Sequence, residues 1–93
     1  MYSLDPTPIE ICTDLAKRHK SLRKSIKLTQ SEMAERSGVS LGSLKRFENT
    51  GQISLLSLLK LAKLMNRLED FNKVFKPGED LSKIEKLFTN NND

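Results

Sequence analysis

The chain has 93 residues, of which 37% are hydrophobic and 30% are charged, so it is long enough for one domain with a modest core but too short to house a large catalytic cleft easily. It contains one Cys and no Trp, which excludes an internal disulfide. Leu is abundant and β-branched residues are few, a composition that favours helix over strand.

The net charge of +4 is unevenly distributed. Residues 17–46 contain nine Lys or Arg and two Glu, whereas residues 51–93 contain seven Lys or Arg and six Asp or Glu. A basic segment on an otherwise balanced domain is typical of a protein that binds a polyanion. A solvated helix face with additional lysines explains the charge equally well.

The opening stretch MYSLDPTPIE lacks both a basic region and an apolar stretch, so we expect no secretory signal peptide. No run of about 18 apolar residues follows it, and we therefore expect no membrane-spanning segment. These features predict a protein of the reducing cytoplasm.

The first predicted helix begins near Pro8 or Ile9, after a flexible lead-in of residues 1–8, and ends before Leu28. Apolar side chains and one histidine recur along it at helical spacing, and lysines and arginines occupy the other faces. The members of this stripe are Cys12, Leu15, His19, Leu22 and Ile26.

LTQSEMAERSG, residues 28–38, predicts a short second helix that starts with a capping box between Thr29 and Glu32 and ends at Gly38. Ser40 then caps a third helix, which extends from Leu41 to about Asn49 and buries Leu44 and Phe47. Two short helices joined by a turn of three to four residues that contains glycine form a helix-turn-helix. We assign this unit to residues 30–49.

Ser54 caps the leucine-rich stretch LLSLLKLAKLM, which is apolar enough that we expect it to be covered on most sides. LEDFNKVF predicts a short fifth helix with Phe71, Val74 and Phe75 facing inward. Pro77 and Gly78 end it, so we place the domain at residues 9–75 and a tail at 76–93. DLSKIEKLF within the tail has the pattern of one or two further amphipathic turns.

The stretch LTQSEMAERSGVSLGSLKRFENTGQISLLSLLKLAKLM resembles the lambda-repressor/Cro-like (XRE-type) regulators, over about residues 9–75. The resemblance implies an all-α, compact five-helix DNA-binding domain with a short C-terminal extension. The shorter stretch RFENTGQISLLSLLKLAKLM is similar to small antitoxins of the HipB group, which are usually encoded beside a kinase-like toxin. Both resemblances make the third helix the recognition helix, which reads the major groove of double-stranded DNA.

The resemblance implies DNA contacts at particular residues of this unit. It predicts that Gln30 holds a phosphate and that the first part of the third helix meets bases or nearby phosphates, through Leu41, Gly42, Lys45 and Arg46. Further backbone contacts are expected at Ser40, Ser43, Asn49 and Thr50. Because many family members have polar residues at the positions of Leu41 and Gly42, we expect more weight on Lys45, Arg46 and DNA shape. The alternatives are a plain solvated face for Lys45 and Arg46 and an ordinary first-turn residue for Gln30.

Three residues of the first and third helices have structural interpretations. The resemblance implies an ion pair between Arg23 and Glu48, which ties the first helix to the recognition helix. We expect His19 to be half-buried. Because the chain has no second His, and because no base is placed beside Cys12, we expect no metal site, no catalytic cysteine and no cofactor.

These observations lead to the hypothesis of a sequence-specific regulator, a homodimeric repressor of its own operon and the antitoxin of a HipBA-like system. It would bind a palindromic operator in the bacterial cytoplasm and associate with the nucleoid when DNA-bound. We expect the dimer contact on the apolar surface after Ser54, with Phe71, Phe75 and Leu87. The alternatives are a module that neutralises a toxin by direct contact, with only weak DNA binding, and a phage-type repressor. Acidic pairs at 69–70 and 79–80 favour the first alternative. The sequence contains no pattern typical of an enzyme.

Overall fold

The computed structural model describes residues 5–78 and 81–91. Within these ranges the chain contains helices and no strand, which confirms the all-α prediction. The elements in chain order are α1 (Pro8–Ser25), α2 (Gln30–Ser37), α3 (Leu41–Thr50), α4 (Leu55–Leu64), a 3₁₀ turn (Leu68–Phe71) and α5 (Leu81–Asn91).

Side-chain caps begin the first four helices. The predicted capping box is present at α2, where the Thr29 hydroxyl accepts from the Glu32 N–H at 3.0 Å and the Thr29 N–H donates to the Glu32 carboxylate at 2.9 Å. Thr7 and Glu10 form a second box at α1, whereas α3 and α4 use the single serine caps Ser40 and Ser54. Each cap satisfies backbone donors that a helix leaves without partners in its first turn.

The core lies where α1, α2, α3 and α4 meet. α1 packs on α3, and α2 packs on both α3 and α4. The largest fully buried side chains come from three of these helices and include the predicted pair of α3: Met33, Leu44, Phe47 and Leu61. Because Leu44 and Phe47 fix one side of α3 in this core, the opposite side of the helix is turned outward.

The segment after α4 differs from the sequence prediction. The expected fifth helix is only the four-residue 3₁₀ turn, and Val74 and Phe75, which we expected inward, are 56% and 100% exposed. Asn66 has a left-handed φ of 60° just after α4, and Phe75 has a φ of 58°. Between these two residues the backbone hydrogen bonds join residues three apart, from Asp70 to Arg67 and from Val74 to Phe71, so the α-helical period that the pattern assumed does not apply.

The apolar surface of the C-terminal half is less covered than expected. Leu55 and Leu56, at the start of α4, are 67% and 65% exposed. The tail contains α5, which is longer than the predicted one or two turns and exposes Ile84 and Leu87. Exposed apolar side chains in such numbers are typical of surfaces that contact another molecule.

Candidate nucleic-acid interface

A buried cluster of polar side chains links α3 to α1 and α2. Its centre is Glu48, whose side chain is 1% exposed. Arg23 donates to both carboxylate oxygens of Glu48 at 2.9 Å, and its Nη1 donates to the Leu28 carbonyl oxygen at 2.8 Å. His19 Nδ1 lies 2.8 Å from Glu48 Oε2, and Gln30 Nε2 donates to Glu48 Oε1 at 2.9 Å. Four side chains from three helices therefore fix the orientation of α3.

His19 is more deeply buried than expected. The sequence predicts a half-buried side chain, but the residue is 8% exposed and its ring meets the Phe47 ring edge-to-face at 5.4 Å between centroids. The carboxylate of Glu48 makes this burial tolerable, because it accepts a hydrogen bond from one ring nitrogen. His19 is thus part of the support of the recognition helix.

The cluster makes the stability of the domain dependent on pH. Burial lowers the pKa of His19 from its ordinary value, an effect larger than the opposing hydrogen bond and charge of Glu48. Burial alone raises the pKa of Glu48, but hydrogen bonds from Arg23, Gln30 and His19, with the charge of Arg23, lower it overall.

We therefore expect the free energy of unfolding to fall as the pH drops below about 6.5. Unfolding lets His19 take up a proton that the folded state disfavours, and at lower pH it frees Glu48 to be protonated. Urea unfolding at pH 7.5, 6.0 and 5.0 measures this dependence. Because His19 is the only histidine, a His19→Asn variant should lose the part of the slope that lies above pH 5. A free energy of unfolding that rises from pH 7.5 to 5.0 would contradict the account.

The outward side of α3 presents a continuous set of exposed residues at helical spacing. Gly42, Lys45, Arg46 and Asn49 follow one another at intervals of i, i+3, i+4 and i+7, and all four are exposed. Nothing lies within 4 Å of the position that a Cβ would occupy at Gly42. A cationic helix face with a bare backbone near its N-terminus has the shape and charge to lie against a nucleic-acid groove.

A second feature of the interface adjoins Arg46. The Arg46 guanidinium donates to the Gln52 side-chain oxygen, and this bond directs the guanidinium towards the start of α4. A polar groove of about 270 Å³ lies there, lined by Ser43, Arg46, Gln52, Ile53, Ser54 and Ser57. Ser54 and Ser57, from the N-cap and first turn of α4, border this groove, and the N-terminus of a helix has a positive dipole end that favours anions.

Several of the predicted contact residues also have roles inside the protein. The Ser40 hydroxyl accepts from the Ser43 N–H at 3.1 Å and donates to the Ser43 hydroxyl at 2.9 Å. The Thr50 hydroxyl donates to the Arg46 carbonyl oxygen and accepts from the Gln52 N–H. Leu41 is partly buried against the core. The hydroxyls of Ser40 and Thr50 thus shape the two ends of α3.

Within residues 5–78 and 81–91, no three His, Cys, Asp or Glu side chains are grouped as a metal site requires. None of the helices described is both long and apolar enough to cross a membrane.

A family model described as helix-turn-helix matches residues 20–71, which is more than half of the chain. The chain belongs to the helix-turn-helix family. It is a DNA-binding transcriptional regulator of the lambda-repressor/Cro-like type. No curated protein and no solved structure matches the chain.

Sequence reasoning missed two members of this site. Gln52 was assigned only to a loop, although it binds Arg46; it lies just beyond the end of α3, so helical spacing does not relate it to Arg46. The role of Gln30 in the Glu48 cluster was also missed, because it depends on the packing of α2 against α3. The start of α4, which borders the same groove, was predicted correctly from the Ser54 cap.

Proposed function

We propose that this regulator is a sequence-specific repressor that reads DNA with α3. The observation that carries the proposal is the exposed face formed by Gly42, Lys45, Arg46 and Asn49, on a helix whose other side is fixed by the core and by Glu48. Arg46 or Lys45 can donate to guanine O6 and N7, and the amide of Asn49 can both donate and accept. The bare backbone at Gly42 lets the helix approach the groove closely.

Phosphate contacts beside α3 would position this helix. Gln30 Nε2 uses one N–H to bind Glu48, and an amide nitrogen has a second N–H that is available for a phosphate oxygen. We assign further backbone contacts to the hydroxyls of Ser40, Ser43 and Thr50 and to the polar groove beside Arg46. Such contacts position the protein without specifying sequence.

Footprinting on the DNA upstream of the gene for this protein tests the repressor proposal. We expect two protected half-sites about 10 bp apart from centre to centre, because a two-fold dimer places its recognition helices about one helical turn apart. A palindromic site at the promoter would support repression of its own operon. Uniform weak protection along the fragment would contradict sequence-specific repression.

The exposed leucines at the start of α4 support a homodimer. Leu55 and Leu56 are adjacent and mostly exposed, and they lie on the same helix whose first turn borders the polar groove. A contact between these leucines of two copies would place both recognition helices on one face of DNA. We therefore assign the dimer interface to the start of α4, with Phe71, Phe75 and Leu87 as further candidates.

Sedimentation tests this interface. We expect the wild-type protein to be a dimer at micromolar concentration and the Leu55→Lys/Leu56→Lys double variant to be a monomer, because two buried charges of the same sign would face their symmetry copies. Ile9→Lys is the matched control, since Ile9 is 76% exposed on α1 and is outside the interface. A double variant that remains dimeric would refute the assignment.

The exposed apolar residues after α4 favour a protein partner as well. Val74, Phe75, Ile84 and Leu87 are all more than 45% exposed. Together with the HipB-like stretch, they support the antitoxin role, in which the chain binds a kinase-like toxin and acts in the bacterial cytoplasm on its own operon. Co-purification with the product of the adjacent gene tests this role, and a prophage neighbourhood would instead favour a phage-type repressor. Toxin binding without a specific operator would favour the interaction module.

A further inference from the structure

An open groove of about 620 Å³ lies between α1 and α4, away from the polar groove beside Arg46. We call it the α1–α4 groove. Five of its apolar side chains come from α1, from α4 with its C-cap and from the 3₁₀ turn, and all five are only partly buried: Leu15, Leu22, Leu58, Met65 and Phe71. The groove therefore leaves apolar surface that a second element can cover.

The polar half of the lining lies at the rims of the α1–α4 groove. Apart from His19, which Glu48 holds in the buried cluster, the polar residues of the lining are all exposed: Lys17, Arg18, Ser21, Ser25, Arg67 and Asp70. Arg18 forms an ion pair with Asp14, and Arg67 pairs with Asp70 at 3.0 Å. An apolar floor between polar rims is the pattern that receives an amphipathic helix.

α5 is an amphipathic helix of matching length. Its 11 residues make it about 16 Å long, and the part of α1 that lines the groove, residues 15–25, is about 15 Å long. Ile84, Leu87 and Phe88 recur at i, i+3 and i+4, so they lie on one side of the helix. Ile84 and Leu87 are 48% and 63% exposed, so this side has apolar surface to bury in a groove.

α5 extends away from the core. Among the described residues, α1 to α4 and the 3₁₀ turn form the extensive packing, and α5 is outside it. The radius of gyration is 16.4 Å, compared with about 12 Å for a compact chain of this length. Only residues 77–80 separate Lys76 from α5, and Phe75 just before them has a φ of 58°, which is strained for a bulky residue. A short, strained hinge favours the exchange of a terminal element between copies.

We propose that α5 of one copy packs into the α1–α4 groove of a second copy, and that the second copy returns the contact. This inference deepens the homodimer of the proposed function and rests on it. Leu55, Leu58 and Met65 follow one another at i, i+3 and i+10, so the exposed Leu55 continues the α4 wall of the groove towards the proposed dimer contact. The lining comes from α1, α4 and the segment after α4, so the exchange leaves the outward side of α3 free for DNA.

Isotope-filtered NMR of the full chain shows which copy fills the groove. Two differently labelled preparations would be mixed in denaturant and refolded together, so that half of the dimers contain one copy of each. We expect nuclear Overhauser contacts from the Ile84 and Leu87 methyl groups of one copy to the Leu58 and Met65 methyl groups of the other. Contacts only within one copy would place α5 in its own groove and overturn the exchange, and so would the absence of any such contact.

Sedimentation of an Ile84→Lys/Leu87→Lys double variant measures how much α5 contributes. We expect the Kd of the dimer to rise by roughly 100-fold or more, because both substitutions place a charge in the centre of the contact. Lys86→Glu is the matched control, since Lys86 is exposed on the opposite side of α5, and it should dimerise like the wild type. A double variant that dimerises as tightly as the wild type would overturn the exchange.

Comparison with the Leu55→Lys/Leu56→Lys variant separates this inference from the interface at the start of α4. If the α5 variant is a monomer and the Leu55/Leu56 variant is a dimer, the exchange is supported and only the other assignment fails. The reverse result overturns the exchange and leaves the start of α4 as the interface. Because these experiments contain no DNA, a failure of sequence-specific repression does not affect their outcome.

Discussion

Replacing Glu48 by Ala should lower the free energy of unfolding by about 3–5 kcal/mol, the usual effect of removing one partner of a buried ion pair. The side chains of Glu48 and Arg23 are 1% and 7% exposed, so water cannot replace the lost carboxylate. Arg23 would keep its charge with only the Leu28 carbonyl oxygen as a partner. The stability of a domain of this size is roughly 5–15 kcal/mol, so the loss is a large part of the total.

Urea unfolding monitored by circular dichroism measures this effect. Glu35→Ala is the matched control, because Glu35 is an exposed glutamate on α2 and its removal should change the free energy of unfolding by less than about 0.5 kcal/mol. Glu48→Gln should be less harmful than Glu48→Ala, since an amide retains one oxygen acceptor. A Glu48→Ala variant as stable as Glu35→Ala would show that the cluster does not hold α3.

Replacing Gly51 by Ala should destabilise the protein much more than the same change at Gly38. Both glycines end a helix with nearly the same left-handed backbone, at φ of 82° and 81°, so both variants incur about 1–2 kcal/mol for a side chain in this conformation. A Cβ at Gly51 would also lie 2.8 Å from the carbonyl carbon of Cys12, whereas a Cβ at Gly38 meets nothing within 4 Å.

The difference between the two variants isolates the close approach of α3 to α1. We expect it to be about 1–3 kcal/mol, the usual cost of forcing extra volume into a packed site. Thermal unfolding of Gly51→Ala and Gly38→Ala under identical conditions measures this difference. Equal melting temperatures would mean that α1 moves away from residue 51 without cost.

The helix-turn-helix unit could be predicted from the sequence because its signals are local. Thr29 and Glu32 lie within one helical turn, Gly38 ends α2 where positive φ is needed, and Ser40 begins α3. Leu44 and Phe47 then identify the buried side of α3, and the exposed side follows from the helical period. The same kind of signal was available at Thr7 and Glu10, whose capping box was not identified.

The features that escaped prediction depend on contacts between distant parts of the chain. The approach of Gly51 to Cys12 joins residues that no helical period relates, and so does the bond between Gln30 and Glu48. The burial of His19 depends on Glu48 as an acceptor 29 positions away. Phe75 was assigned inward from the α-helical period alone, but the backbone hydrogen bonds before it join residues three apart, as between Val74 and Phe71, and Phe75 itself has a positive φ.

We expect α3 to read the sequence of DNA, and fluorescence anisotropy tests this most directly. The DNA from upstream of the gene would be titrated in a salt series with excess random competitor, using wild-type protein, Arg46→Ala and the control Arg67→Ala. Arg67 is an exposed arginine that pairs with Asp70, outside α3. We expect wild-type binding to survive the competitor. Arg46→Ala should lower the affinity for DNA by roughly 5- to 150-fold, which corresponds to the 1–3 kcal/mol of a bidentate base contact. Arg67→Ala should change the affinity little. Binding that the competitor abolishes, with a steep salt slope and equal affinities for the three proteins, would mean that a basic surface only holds phosphates.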